Sequence, residues 1–337
     1  MNIDGTVINN AQITQQTVNI KSEASLTTVV DKVNVGDGTI NNAGTLMIGG
    51  SADLGYNIDG SDGTVDIMTD ANISNTGASA KTITQKNLLV EENATLSTLA
   101  NNLTVTNIKN SGTLALTGND AGVEFDNSIT DLDDNNEKGT LKLNSGNLIM
   151  KQSVKQENLE IAAGVLTIAV QNLNISNEAI SNSGKLVLQS TSAEQVDFAH
   201  VMNGDGILEI SKDVNLNATR TINNKVDNKG TLTVQADNLK GIVTNENIIN
   251  LDTGVLGVQL SNGITSEDNN KGTLNIIGQV IVDNSTLIKQ KTLTIANEDA
   301  SLTAALTSLT INDDIDNAGT LYISGTTEEK VLSNNIT

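Results

Sequence analysis

Aspartate and glycine alternate in three short stretches, a pattern that could bind calcium. The stretches are Asp59-Gly60-Ser61-Asp62-Gly63, Val35-Gly36-Asp37-Gly38 and Asn203-Gly204-Asp205-Gly206. Calcium prefers carboxylate oxygens but takes about six to eight oxygen ligands. The tandem Gly-Gly-x-Gly-x-Asp run of the calcium-binding nonapeptide repeat does not occur in this chain. We therefore expect these stretches to be structural turns, and we predict no metal site.

The densest acidic run, from Asp131 to Glu137, is a second candidate cation site. It lacks the glycine that the sixth position of an EF-hand loop requires. It lies in the long stretch between Gly112 and Gly139. We therefore expect a solvated acidic loop here.

His200 is the only histidine, and Asp197 precedes it closely in the sequence. An aspartate that orients a histidine can make it a general base. The apolar neighbours of His200 favour instead an inserted loop, folded onto the body of the protein. Arg220 is the only arginine, and the chain has two Tyr, two Phe and no Trp. Such a composition leaves few residues for a polysaccharide-cleaving site, so we predict no catalytic residue and no cofactor.

The net charge of -21, from 40 acidic and 19 basic residues, argues against nucleic acid as a partner. Phosphate backbones and anionic membrane surfaces both attract clustered Lys and Arg. The chain has no cysteine, which excludes disulfides and thiolate metal sites. No apolar run approaches the length of about 18 residues that a transmembrane helix needs, so we expect no membrane insertion. The first ten residues lack the features of a signal peptide, and we expect a fragment of a longer protein.

One motif recurs along the chain: an apolar residue, a short turn containing Asn, then Gly-Thr-Leu-x-Ile. Clear copies have Gly44, Gly112, Gly184, Gly230 and Gly319, looser ones have Gly63, Gly139, Gly164, Gly206, Gly254 and Gly272, and two have Ala94 and Ala300 instead. The mean spacing of about 23 residues is typical of solenoid turns. Equivalent copies also recur about every 70 residues, so the turns form triplets. We predict about 14 turns in a single domain over residues 1–337.

Leu and Ile in the motif are two residues apart, which is the period of a strand. We therefore expect one interior face to contain Leu46, Leu114, Leu186, Leu232 and Leu321. The Asn two residues before the glycine of each clear copy could stack from turn to turn as a ladder. Helical repeats are disfavoured because Asn, Thr and Gly are poor helix formers. The predicted fold is an all-β parallel β-solenoid, a right-handed β-helix.

The repeat, as in residues 226–234 and 315–323, resembles the passenger repeats of bacterial type V autotransporters. Segments such as Asn127 to Leu141 and Asn262 to Leu274 look like the surface cell antigens of rickettsia-type bacteria. The resemblance implies export to the cell surface, with a C-terminal translocator barrel outside this segment. It assigns no functional residue, because the shared motif is structural.

We therefore expect a non-catalytic cell-surface passenger or adhesin of a Gram-negative bacterium. Its partners would be a host-cell surface protein or neighbouring bacterial cells. Contact would use outward residues or the loops at Asp120–Lys138 and Ser190–Asp205. The alternative is a β-helix enzyme that acts on polysaccharide.

Overall fold

The computed structural model is an all-β parallel solenoid of about 16 turns, which confirms the predicted fold class. It describes residues 1–36, 38–132, 138–252, 258–268, 270–325 and 333–337, and these contain no α-helix. The chain divides into two compact units, described separately below: unit 1 is Met1–Ile168 with Asn172–Asn177, and unit 2 is Ala169–Gln171 with Glu178–Thr337. That the chain is a single domain stays a prediction.

In unit 1 the strands of successive turns pair in parallel and form stacks. Stack 1 contains Asn2–Ile3, Thr17–Ile20, Thr39–Asn42 and Asn57–Asp59, and stack 2 begins with Thr6–Ile8, Ser25–Val29, Thr45–Gly49 and Thr64–Ile67. The long strands Ile83–Val90 and Leu103–Asn110 extend both stacks, and Ile129–Thr130, Val154–Gln156 and Leu173–Ile175 continue stack 2. Stack 3 contains Ser51–Asp53, Asn72–Asn75, Thr95–Leu99, Thr113–Thr117, Thr140–Ser145 and Asn158–Ile161. Stack 4 contains Val123–Phe125, Asn147–Met150 and Val165–Ala169, and Ile13–Thr14 pairs with Val33–Asn34.

Unit 2 repeats this construction. Stack 5 contains Lys185–Gln189, Ile207–Ile210, Lys225–Asn228, Val243–Asn245, Ile264–Thr265, Ile288–Gln290 and Leu309–Ile311. Stack 6 contains Gln195–Phe198, Asn215–Ala218, Thr231–Val234, Ile248–Leu251, Thr273–Ile276, Thr292–Ile295 and Ile315–Asn317. Stack 7 contains Val258–Leu260, Gln279–Val282, Ser301–Ala305 and Thr320–Ser324, and Ala179–Asn182 pairs with Val201–Asn203.

The motif leucines are interior, as their spacing predicted, but they do not share one face. Leu46, Leu114, Leu186 and Leu232 are all 0% exposed, and Leu321 in the last strand of stack 7 is half-buried. In unit 1 the first two belong to stacks 2 and 3. In unit 2 the other three belong to stacks 5, 6 and 7. The expectation of one shared face was therefore wrong.

The length of a turn explains this difference. About 16 turns in 337 residues make each turn shorter than the mean motif spacing, so the predicted number of turns was too low. In unit 1 Thr45 pairs with Thr64, Thr64 with Asn87, and Asn87 with Asn107. After these three turns, the next strand, Thr113–Thr117, carries the next clear copy of the motif and belongs to stack 3. The long period of the sequence thus covers slightly more than three turns of the solenoid.

Unit 2 shows the same shift. Lys185 pairs with Ile207, Ile207 with Lys225, and the strand of Lys225 with Val243–Asn245. The next strand, Ile248–Leu251, belongs to stack 6. The motif copies shift in the same way, because Ile207, after Gly206, lies in stack 5 and Thr273, after the equivalent Gly272, lies in stack 6. Each copy of the long repeat therefore begins one face further round its unit. The copy predicted at Gly254 lies outside the described residues.

Short 3-10 helices follow the same long period. They occupy Val30–Lys32, Ala100–Asn102, Val170–Asn172, Ala236–Asn238 and Leu306–Ser308. Their first residues are 66 to 70 positions apart, so the described residues contain one such corner per copy of the long repeat. The long period is thus a property of the backbone as well as of the sequence.

The asparagines that precede the motif glycines bind across turns inside the solenoid. Asn42, 1% exposed, donates from Nδ2 to the Thr64 carbonyl oxygen at 2.8 Å and to Gln85 Oε1 at 2.6 Å. Gly63 lies beside this pair, and a Cβ there would be 2.2 Å from the Asn42 carbonyl oxygen and 2.5 Å from Gln85 Oε1. Asn110, Gly139 and Gln156 repeat this arrangement, as do Asn245, Gly272 and Gln290. The glycine is needed because an amide pair fills the place of its side chain.

The predicted ladder of motif asparagines is therefore mostly replaced by these pairs. A single step from a motif asparagine to the equivalent asparagine of the next turn occurs among the described residues, from Asn228 Nδ2 to Asn245 Oδ1 at 2.8 Å. Longer ladders lie on the outer surface. In stack 1, Asn41 donates to Asn19 at 2.7 Å, and Asn19 donates to Asn2 at 2.8 Å.

Candidate functional site

Two of the Asp-Gly stretches expected to be structural turns lie where one turn of the solenoid packs closely on another. A Cβ on Gly60 or Gly63 would lie 2.1 or 2.2 Å from the Asn42 carbonyl oxygen. A Cβ on Gly204 would lie 2.4 Å from the Asn182 carbonyl oxygen. These glycines therefore have a structural role. Asp37, in the remaining turn, lies outside the described residues.

Metal-ligating side chains do not cluster in the part of the chain that the structure describes. It contains no group of three or more His, Cys, Asp or Glu that could hold a metal ion. Asp131 is only 3% exposed, in contrast to the solvated loop expected there. The Ser111 hydroxyl and the Lys138 backbone N–H donate to its carboxylate oxygens. Residues 133–137 of the acidic run lie outside the described residues.

The segment around His200 belongs to the stacks, so the expectation of an inserted loop was wrong. Gln195–Phe198 is a strand of stack 6, and Val201–Asn203 pairs with Ala179–Asn182. Phe198 is buried, and the His200 ring packs edge-on against it with 5.2 Å between ring centroids. Asp197 accepts a hydrogen bond from Asn217 Nδ2 at 2.7 Å. Both side chains thus have packing or pairing roles within unit 2.

A groove of about 500 Å³ lies on the outer surface of stack 2 in unit 1. We call it the stack 2 groove. Its lining includes Thr64, Asn87, Asn107, Lys109 and Asp126. The first four are outward-facing residues of successive paired strands, and Asp126 follows the strand Val123–Phe125. The turn-by-turn register of the solenoid therefore assembles the groove from residues far apart in sequence.

Hydrogen bonds order the amides of this groove. Asn107 Nδ2 donates to Asn87 Oδ1 at 3.0 Å, and Asn87 Nδ2 donates to Thr64 Oγ1 at 3.1 Å. The second N–H of each amide and Asn107 Oδ1 have no partner among the described residues. The predicted contact loop at 120–138 supplies Asp126 and Ser128 to the same groove. Asn87 and Asn107 were missed because their strands lack the Gly-Thr-Leu motif.

Asp66 lies next to the stack 2 groove. It is in register with Met47 on one side and with Leu89, a groove residue, on the other. Its Oδ1 is buried and accepts no hydrogen bond among the described residues. Burial and the nearby Glu91 carboxylate raise the pKa of Asp66 to about 6. A carboxyl group with that pKa can hold or release a proton close to neutral pH.

A cluster of ion pairs occupies the outer surface of stack 5 in unit 2. Glu209 lies 2.5 Å from Lys185 Nζ and 2.9 Å from Lys229 Nζ, and Lys229 also pairs with Asp227 at 3.2 Å. Burial tends to raise the pKa of Glu209, but hydrogen bonds from both lysines outweigh it and hold the pKa below its ordinary value. Opposite charges are thus paired between turns, as expected for a structural network.

No protein-family model, curated protein or solved structure matches this chain. Over the described ranges, the structure has no helix long and apolar enough to cross a membrane. The described residues form on the outer surface a groove of ordered amides and hydroxyls, with the carboxyl group of Asp66, whose pKa is raised, beside it, and a cluster of paired ions on stack 5.

Proposed function

We propose that this chain is a non-catalytic surface scaffold, the passenger or adhesin segment of a Gram-negative bacterial surface protein. The observation that carries the proposal is the contrast between the two sides of stack 2. The inward positions that pair with one another in successive turns are aliphatic at Leu46, Val65 and Leu88. Outward positions in the same strands vary freely, as in Met47, Asp66 and Leu89. Such a fold displays different side chains on a constant frame.

The proposed location is the bacterial cell surface, and the proposed partner is a host-cell surface protein or a neighbouring bacterium. The resemblance of the repeat to autotransporter passengers supports this proposal. The parallel ladders support it too, because each strand pairs with the turns next to it. A chain of that kind can fold turn by turn as it emerges from a membrane.

Binding of the purified protein to host cells and to bacteria tests the proposal. Deleting Asp120–Lys138 would remove two strands and the buried Asp131, so substitutions are preferable. Asp126→Ala, at an exposed groove position, should reduce binding, whereas Asp313→Ala, at an exposed position in unit 2, should not. Absence of binding to every cell type tried would contradict the adhesin proposal.

The second candidate function is a β-helix enzyme that acts on polysaccharide. The observation that favours it is the raised pKa of Asp66 beside the groove, since glycosidases use a carboxylic acid of raised pKa as the proton donor. Release of shorter sugars from a polysaccharide panel, abolished by Asp66→Asn, would support this candidate. Intact polysaccharide after prolonged incubation would support the non-catalytic role.

A further inference from the structure

We propose that the stack 2 groove binds a neutral oligosaccharide that lies across the strands of unit 1. This inference rests on the proposed binding role and adds the class of ligand. The groove's volume of about 500 Å³ is in the range of small-molecule sites. Its lining consists mainly of amides and hydroxyls, and these groups match the hydroxyl groups of a sugar.

The amides of the groove are held in place before any ligand arrives. The bonds from Asn107 to Asn87 and from Asn87 to Thr64 fix the orientation of both amides. Each amide keeps one N–H to donate, the Thr64 hydroxyl keeps its own hydrogen, and Asn107 Oδ1 remains an acceptor. Preorganisation of this kind reduces the entropy lost on binding.

The backbone at the groove cannot recognise a peptide by adding a strand to the sheet. The strands Thr64–Ile67, Ile83–Val90 and Leu103–Asn110 each have parallel partners on both sides. Their ladders are therefore occupied, and strand addition needs an open sheet edge. A ligand must be recognised by side chains alone, which favours a ligand rich in hydroxyl groups over an extended peptide.

Charge selects a neutral sugar over an acidic one. The groove lining contains one cation, Lys109, and one anion, Asp126. The whole chain carries a net charge of -21, which repels polyanions. The half-buried Leu89 provides apolar surface in the lining, against which the C–H face of a sugar ring can pack.

The spacing of the groove fits a polymer with repeating units. Thr64, Asn87 and Asn107 present one hydroxyl or amide per turn, and neighbouring strands are about 4.8 Å apart. Successive turns can therefore contact successive sugar residues. A ligand of several residues gains from this repetition more than a monosaccharide does.

The test is calorimetric titration of the full chain with cellohexaose, maltohexaose and β-mannohexaose, with hexagalacturonate as the anionic comparison. The variant Asn107→Leu removes the groove amide at similar volume. Asn19→Leu makes the same change in the outer ladder of stack 1 and serves as the matched control. We expect saturable binding of a neutral hexasaccharide, weakened about tenfold by Asn107→Leu and unchanged by Asn19→Leu.

The proposal is overturned if none of the three neutral hexasaccharides binds, if both variants weaken binding equally, or if hexagalacturonate binds as tightly. Cell-binding assays on the same variants separate this result from the proposed function. If the protein binds cells but none of the saccharides, the proposed ligand of the groove is wrong, and the proposed adhesin role is not contradicted. Release of shorter sugars during the titration would support the ligand class and contradict the non-catalytic role.

Discussion

Position 63 requires glycine because neighbouring atoms leave no room for a side chain, and not because of its backbone conformation. The Asn42–Gln85 hydrogen bond occupies the space where a side chain would lie, and this pair connects turns on either side of the glycine. Buried amides need partners, because an unpaired buried polar group costs about 1–3 kcal/mol. The recurrence of this arrangement at Gly139 and Gly272 makes it a general device of the fold.

Gly63→Ala should lower the free energy of unfolding by about 1–3 kcal/mol, the usual cost of overpacking. The physical reason is the added Cβ, which would press on a backbone oxygen and on the amide of Gln85. Gly77→Ala is the matched control, since a Cβ there would meet nothing within 4 Å. Urea denaturation of both variants checks this, and equal effects would contradict the proposed role of the amide pair.

Asp66→Asn should stabilise the protein by about 1 kcal/mol at pH 8 and have little effect near pH 4. The raised pKa means that the folded state holds the Asp66 proton more tightly than the unfolded chain does. The resulting stabilisation is complete below the unfolded pKa of about 4 and is lost as the pH rises through about 6. A pKa shift corresponds to about 1.4 kcal/mol per unit. The expected change in stability is smaller than the shift of Asp66 would give, because the side chain is partly solvated. Denaturation curves from pH 4 to 8 measure this change in stability. Asp62→Asn, at an exposed position, is the control. The same pH dependence for both variants would refute the prediction.

At the scale of the strand, stack 5 combines an aliphatic interior with charged pairs outside. Glu209 contacts a lysine of the preceding turn and another of the following turn, and its side chain is only 14% exposed. The pair of Lys151 with Glu124 in unit 1 is far more open, with side chains 42% and 62% exposed. Exposed ion pairs contribute little to stability, so the two sites should differ.

Glu209→Gln should cost about 1 kcal/mol at pH 7, against less than about 0.5 kcal/mol for Glu124→Gln. The lowered pKa of Glu209 means that its contribution is present above the unfolded pKa and is lost as the pH falls through the lowered folded value. The difference in the free energy of unfolding between wild type and Glu209→Gln should therefore become smaller in acid. Denaturant titrations at pH 7 and pH 3 provide the measurement, and a difference that becomes larger in acid would contradict this account.

Strands and turns could be predicted from the sequence, because alternating Leu and Ile beside Asn and Gly specify them locally. The number of turns could not. Asn87–Val90 and Asn107–Asn110 form strand segments in register with Thr64–Ile67, yet neither follows a glycine of the motif. Counting motifs therefore missed turns. The stack 2 groove was missed for the same reason, since its lining depends on which strands are neighbours.

In both units, the length of the long repeat has the same relation to the length of one turn of the solenoid. Each copy of the long repeat covers slightly more than three turns, so equivalent residues of successive copies appear on successive faces. Each face consequently contains strands from different positions within the long repeat. This explains how a repetitive sequence produces outward rows as varied as Met47, Asp66, Leu89 and Lys109. It also brings Asp126, of the copy that begins at Gly112, to the same groove as Asn87 and Asn107, of the copy that begins at Gly44.

The most direct test of the fold's register uses cysteine pairs, since the chain has no cysteine of its own. Thr64→Cys with Asn87→Cys joins residues paired in adjacent parallel strands, whose separation of about 4.8 Å lies within disulfide range. Thr64→Cys with Thr95→Cys joins equivalent positions of the next two motif copies, which belong to different stacks. Mild oxidation followed by mass spectrometry should show a disulfide in the first variant and free thiols in the second. A disulfide in the second variant with free thiols in the first would contradict the turn length of the solenoid and the register on which the groove depends.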